Sequence, residues 1–136
     1  MGLLEKRAIK AFQEGSYVNL VKEINTIAGY ELTFDVNWDS LAVDEYSHLY
    51  EEGFTKVYFT PIITALKEIT IDDLGKDALK SVLKKVVIKN ENNIYYGDYA
   101  YSFDGGTLTI DHSPNSNIDS ISERSESLAK LLNKSL

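Results

Sequence analysis

The chain has 136 residues, no cysteine and a formal net charge of −7 at pH 7. Its 43% hydrophobic and 26% charged residues are ordinary for a globular protein and exclude wholesale disorder. Because a chain of this length forms about one domain, we predict a single domain over residues 1–136. The absence of cysteine excludes a disulfide framework, a thiolate nucleophile and a zinc site built on sulfur.

The first residues do not resemble a secretory signal. Leu3 and Leu4 are followed at once by Glu5-Lys6-Arg7, so the apolar core of a signal is missing. No run approaches the ~20 apolar residues needed to span a bilayer. We therefore expect a cytoplasmic protein that does not contact a membrane.

The amino-terminal part has the pattern of two helices, or of one helix with a kink. Apolar residues recur near helical spacing from Leu3 to Gln13, and Gly15 interrupts them. Ser16 is a suitable N-cap for a second helix, and Gly29 ends that helix.

Tyr30–Trp38 has the clearest strand pattern, because every second residue is apolar. One face of this strand is predicted to be buried and the other wet, which is typical of an antiparallel or edge arrangement. Asp39-Ser40 then predicts the start of a helix that ends near Gly53. Residues 54–59 fit a helix and a strand equally well. Helix-start signals recur at Thr60-Pro61 and at Thr70, which forms a capping-box pattern with Asp73. A final helix is predicted after a loop at residues 112–116.

Val86–Asp111 is the stretch around which we expect the fold to be organised. It has the pattern of three antiparallel strands joined by two tight turns, one within residues 90–93 and one at Asp104-Gly105. A two-residue turn at Asp104-Gly105 places Tyr101 opposite Leu108 and Tyr99 opposite Ile110. Every pair on that face is then apolar.

The predicted fold is α+β. We expect an antiparallel sheet, made of the three-stranded meander at 86–111 and the strand at 30–38, covered on one face by several helices. In this arrangement Tyr95, Tyr99 and Tyr101 belong to the buried face and Tyr96 to the opposite face. An alternative is that the tyrosines line an aromatic ligand groove or a binding surface.

The acidic residues are concentrated in one window between Glu31 and Glu52, which contains no lysine or arginine. The seven acids of this window are Glu31, Asp35, Asp39, Asp44, Glu45, Glu51 and Glu52. Their charge of −7 equals the net charge of the chain, so the remaining residues sum to zero. Nucleic-acid binding needs clustered positive charge, so the window favours a basic protein partner over a nucleic acid.

The meander register suggests a second candidate site at one corner of the sheet. If Tyr99 opposes Ile110, Asp98 opposes Asp111, and like charges across a ladder are destabilising. Asp98, Asp111 and His112 would then form a cation site, or the two aspartates an acid–base pair. The ordinary interpretation is two solvated aspartates near strand ends.

A third candidate site consists of Asp44, His48 and Glu51, which share one face if residues 40–53 are helical. Two carboxylates and an imidazole can ligate a metal. An ordinary surface helix has the same composition. No cofactor is indicated.

No sequence motif indicates an enzyme class. There is no G-x-S-x-G nucleophile motif and no Walker-type loop. The leading hypothesis is a non-enzymatic, acidic protein-interaction module, comparable to an immunity protein or an adaptor, that binds a basic protein. The alternatives are a small enzyme or ligand-binding protein that uses the Asp98, Asp111, His112 corner or an aromatic pocket, and self-association. In the last case the acidic window would contact a lysine stripe formed by Lys76, Lys80 and Lys84.

Overall fold

The fold is described by a computed structural model that covers residues 1–136. The helices are α1 (Leu3–Glu14), α2 (Ser16–Ala28), α3 (Trp38–Leu41), α4 (Tyr50–Phe54), α5 (Thr60–Ile69), α6 (Asp73–Val82), α7 (Gly97–Ala100) and α8 (Ile121–Ser135). The strands are β1 (Thr33–Val36), β2 (Lys85–Lys89), β3 (Tyr101–Asp104) and β4 (Thr107–Asp111). A 3-10 turn at Ser47–Leu49 and a π-helical segment at Thr55–Phe59 complete the helical structure. None of the helices combines the length and apolar character that a membrane span requires.

The four strands form one mixed sheet in the order β1-β2-β4-β3. β2 runs parallel to both β1 and β4, and only β3 and β4 are antiparallel. The predicted antiparallel sheet with a three-stranded meander at 86–111 is therefore wrong. The chain does fold as a single α+β domain with one four-stranded sheet.

The meander prediction is wrong because residues 90–100 form no strand between β2 and β3. The Asn93 amide donates a hydrogen bond to Asn90 Oδ1 at 3.1 Å, and Asn93 has a φ of 50°. Such local side-chain bonds satisfy the backbone in a turn and compete with a strand ladder. The chain then forms α7 and the β3–β4 hairpin, and β4 returns parallel to β2.

The β3–β4 hairpin has a two-residue loop, as expected, but the loop lies one residue further along. It is Gly105-Gly106, with φ values of 57° and 84°, instead of Asp104-Gly105. Both loop positions have positive φ, which glycine adopts more readily than aspartate because it has no Cβ. Tyr101 consequently pairs with Ile110 rather than Leu108. These residues still share one face, because the pairing moves by an even number of positions.

The sheet has one apolar and one polar face. The apolar face packs against the helices and carries Phe34, Val36, Val86, Ile88, Tyr101, Phe103, Leu108 and Ile110. The polar face, which includes Thr33, Asp35, Lys85, Thr107 and Asp104, retains contact with solvent. Helices therefore cover only one face of the sheet, which is uncommon for parallel strands, since these are usually covered on both faces.

The strand predicted at 30–38 forms over four residues only, Thr33–Val36, and lies at an edge of the sheet. It ends because the Asn37 side chain accepts a hydrogen bond from the Ser40 amide and starts α3. The single helix predicted from residue 40 to Gly53 is instead divided into α3, the 3-10 turn and α4. Glu45, with a φ of 72°, lies in the break.

Residues 50–69 form one continuous helical run, and residues 54–59, which fitted helix and strand equally, are helical. In the π segment the Thr60 amide donates to the Thr55 carbonyl, five residues back. The next carbonyl in that pattern, that of Lys56, receives no bond from Pro61, because proline has no N–H. The α-helical geometry of α5 resumes at Thr60, but no helix starts there: the run is continuous and the Thr60 hydroxyl caps nothing, so the predicted helix start at Thr60-Pro61 is wrong.

Aromatic packing fixes the chain beyond β1 to the first two helices. The rings of Trp38 and Tyr17 meet edge-on with centroids 5.0 Å apart, and Phe12 lies 5.9 Å from Trp38. Phe12 also packs edge-on against Phe54 at 5.2 Å. α1 and α2 are therefore anchored at the end of β1.

Candidate functional site

All seven acids of the Glu31–Glu52 window are exposed to solvent. They belong to several elements: Asp35 lies in β1 and Asp39 in α3, and Glu51 and Glu52 lie in the first turn of α4. A carboxylate in the first turn stabilises a helix through the helix dipole, so those in α3 and α4 also have a structural role. Asp35, on the edge strand, has no such role.

Cations neutralise only part of this window. Lys85 Nζ lies 3.6 Å from Asp35, the amino group of Met1 lies 4.0 Å from Asp44, and Lys56 Nζ lies 2.7 Å from Glu52. The other four carboxylates have no cation within 4.0 Å; these are Glu31, Asp39, Glu45 and Glu51. Glu51 instead accepts a hydrogen bond from Ser16 Oγ. The window therefore retains most of its negative charge.

Asp98 and Asp111 are not opposed across a ladder, so the interpretation based on that register is wrong. Asp98 lies in α7 and accepts a hydrogen bond from Ser127 Oγ at 2.6 Å. Asp111 ends β4 and accepts hydrogen bonds from the Glu91 amide at 2.8 Å and from Asn92 Nδ2 at 2.6 Å. Asp111 thus holds the loop after β2, which accounts for its burial.

His112 follows Asp111 and is 0% exposed. Its Nδ1 lies 2.7 Å from the Ser113 carbonyl oxygen, while Nε2 has no partner. Burial lowers the pKa of His112, since the charged imidazolium loses its hydration. Neither this corner nor the group of Asp44, His48 and Glu51 brings three potential ligands together, and no such metal-binding group occurs in the structure.

A buried arginine, which the sequence prediction missed, connects α8 to the helical run at 50–69. Arg124 is 0% exposed and forms no ion pair within 4.0 Å. Its guanidinium donates to the carbonyl oxygens of Asn117 at 2.6 Å, Ile118 at 2.6 Å and Lys56 at 3.2 Å. The Lys56 carbonyl is the one that Pro61 leaves free. Arg124 therefore satisfies backbone groups that the π segment and the loop before α8 expose.

Two tyrosines belong to the same interior. Tyr58 Oη donates to the His112 carbonyl oxygen at 2.5 Å, and burial raises the pKa of Tyr58 well above its ordinary value. Three polar atoms of this interior have no partner: Tyr101 Oη, His112 Nε2 and Arg124 Nε. Because His112 and Arg124 are fully enclosed, a substrate cannot reach them in this conformation. The sequence signal for a buried arginine was the position of Arg124, three residues after Ile121 on the apolar face of the predicted final helix.

The exposed aromatic surface differs from the prediction. Tyr95 and Tyr99, expected on the buried face, are 54% and 78% exposed, because the segment carrying them is not a strand. Tyr96, expected on the opposite face, is 50% exposed, and its ring centroid lies 4.8 Å from that of Tyr95. Of the four tyrosines between residues 95 and 101, only Tyr101 packs against the core.

Comparisons with protein-family models, with curated proteins and with solved structures found no match for this chain.

Proposed function

We propose that the chain is a non-enzymatic protein-interaction module that binds a basic protein through the acidic window. The observation that carries this proposal is that all seven acids of the window are exposed and four of them have no cation within 4.0 Å. Electrostatic complementarity would accelerate association with a basic partner and disfavour acidic ones. An immunity protein that neutralises a basic toxin and an adaptor both have this property.

The enclosed polar cluster supports a binding protein more than an enzyme. The polar atoms without partners are themselves buried, and the exposed carboxylates are spread over several elements. General acid–base chemistry needs a titratable group within hydrogen-bond reach of a bound substrate. Neither group of residues offers this arrangement.

The test is a charge reversal with a matched control. The variant E31K/D35K/D39K changes the charge of the window by six units, and E23K/E68K/D77K makes the same change at three exposed helical acids outside it. Each protein is used as bait in lysate of the native host at low and at high salt. We expect a basic protein that the wild type and the control retain at low salt, that high salt releases and that the window variant does not capture.

Equal capture by the two variants would contradict the proposal. So would light scattering that shows a wild-type dimer at low salt, since the acidic window would then serve self-association with the lysine stripe of Lys76, Lys80 and Lys84.

A further inference from the structure

β1 has one free backbone edge. The Thr33 amide donates to the Lys84 carbonyl at 3.1 Å and the Asn37 amide to the Ile88 carbonyl at 2.9 Å, so both amides face β2. Backbone groups alternate between the two edges of a strand, which places the amides and carbonyls of Phe34 and Val36 on the outer edge. No strand pairs with that edge, because β1 is the terminal strand of the sheet.

The outer edge is bordered by acids. Asp35 lies on the polar face of β1, 3.6 Å from Lys85 Nζ, and Glu31 and Asp39 lie just before and just after the strand; all three acids are exposed. Charges on an edge strand prevent pairing with a second copy of the same strand, since like charges would meet. The same charges attract a strand that carries lysine or arginine at alternate positions.

Open grooves adjoin both ends of β1. One, of about 490 Å³, is lined by residues that include Val18, Lys22 and Glu31, and Val18 is 54% exposed. The other, of about 360 Å³, is lined by residues that include Lys6, Trp38 and Asp39. A strand laid along β1 would extend toward an apolar wall at each end, beside which one acid and one lysine lie.

We propose that β1 is the binding element of the acidic window: it accepts an extended basic segment of the partner protein as a fifth strand. Phe34 and Val36 supply the backbone hydrogen bonds, Glu31 and Asp35 face alternate lysine or arginine side chains, and apolar side chains between them turn toward the grooves. This inference rests on the proposed function and specifies how the partner is recognised.

The probe is a seven-residue peptide in which lysine and valine alternate. Its matched control has the same sequence with N-methyl groups on the alternate amides that would pair with β1. We expect the first peptide to bind, to slow amide hydrogen exchange at Phe34 and Val36, and to bind about tenfold or more tightly than the control, because backbone hydrogen bonds are lost in the latter.

The outcomes separate this inference from the proposed function. Equal binding of both peptides, abolished by E31K/D35K, would show attraction by charge alone, which overturns strand addition and leaves the proposed function intact. Absence of peptide binding would also overturn strand addition, while the capture experiment with the native lysate tests the proposed function independently. Protection of Phe34 and Val36 without added peptide, increasing with protein concentration, would mean that a second copy occupies the edge and would overturn the inference.

Discussion

At the scale of single residues, His112 makes stability depend on pH. Its pKa is lowered in the folded protein, chiefly by burial, from an ordinary value of 6.5. The unfolded chain therefore binds a proton at a pH at which folded His112 stays neutral. By linkage, the contribution of neutral His112 to the free energy of unfolding is fully present above pH 6.5. This contribution decreases as the pH falls toward the folded pKa, with a slope of at most about 1.4 kcal/mol per pH unit.

The measurement is urea unfolding between pH 7.5 and 5.5 for the wild type, H112Q and H48Q. We expect the decrease in unfolding free energy to become shallower in H112Q and to persist in H48Q, since His48 is exposed. The comparison is controlled internally because the chain has only two histidines. Parallel pH profiles for wild type and H112Q would contradict the burial-based explanation.

At the scale of secondary-structure elements, Arg124 determines how α8 attaches to the rest of the protein. Replacing it by methionine keeps much of the apolar volume but leaves the carbonyls of Lys56, Asn117 and Ile118 without their donor. Unsatisfied buried acceptors are costly, so we expect R124M to lower the unfolding free energy by about 3 kcal/mol.

K130M in the same helix is the matched control, because Lys130 is exposed and its change should leave stability almost unaltered. R124K, which keeps the charge but not the planar fork, should fall between the wild type and R124M. Chemical denaturation at one pH measures all three variants. An R124M protein as stable as wild type would contradict the prediction, since the three carbonyls would then not depend on the Arg124 donors.

Most local elements could be predicted from the sequence, but the pairing of strands could not. The period of apolar residues located α1 and α2, and Gly29 ends α2 as predicted, since these signals act within a few residues. The capping roles predicted for Ser16 and Thr60 are wrong, because Gly15 and Phe59 precede these helices and neither hydroxyl caps a helix. The parallel alignment of Ile88 with Ile110 depends on a crossover between them, which no local pattern encodes. An antiparallel meander satisfies the same alternation, so the alternation could not distinguish the two topologies.

The residues of the sites show the same division between local and distant signals. The exposure of Asp35 and its neighbours follows from the alternation in the strand, and the structure places them at the surface. Arg124 donates to the Lys56 carbonyl, 68 residues away in sequence, which Pro61 leaves without an amide donor. No signal near Arg124 in the sequence indicates that contact. The pairing of Asp98 with Asp111 depended on a register that the glycines after Asp104 do not support.

At the scale of the whole molecule, the sheet combines a stable centre with two unequal edges. β2 and β4 pair on both sides, whereas β1 and β3 pair on one. β3 is covered in part by α8, because Tyr101 and Leu131 line one groove. Both terminal strands leave backbone groups without a strand partner, but the exposed acids Glu31, Asp35 and Asp39 lie beside β1. Under the proposed function, charge and backbone pairing would therefore act at the same edge.

This topology predicts a definite pattern of amide hydrogen exchange. We expect the slowest exchange in β2 and β4 and fast exchange at residues 94–96, which lie outside any strand. Within β1, Thr33 should be protected because its amide bonds to Lys84, while Phe34 and Val36 should exchange quickly in the free protein. Residue-resolved NMR exchange in dilute protein provides the measurement. Protection at residues 94–96 comparable to that of β2 would indicate an antiparallel meander instead, and slow exchange at Phe34 would show that the outer edge of β1 is already occupied.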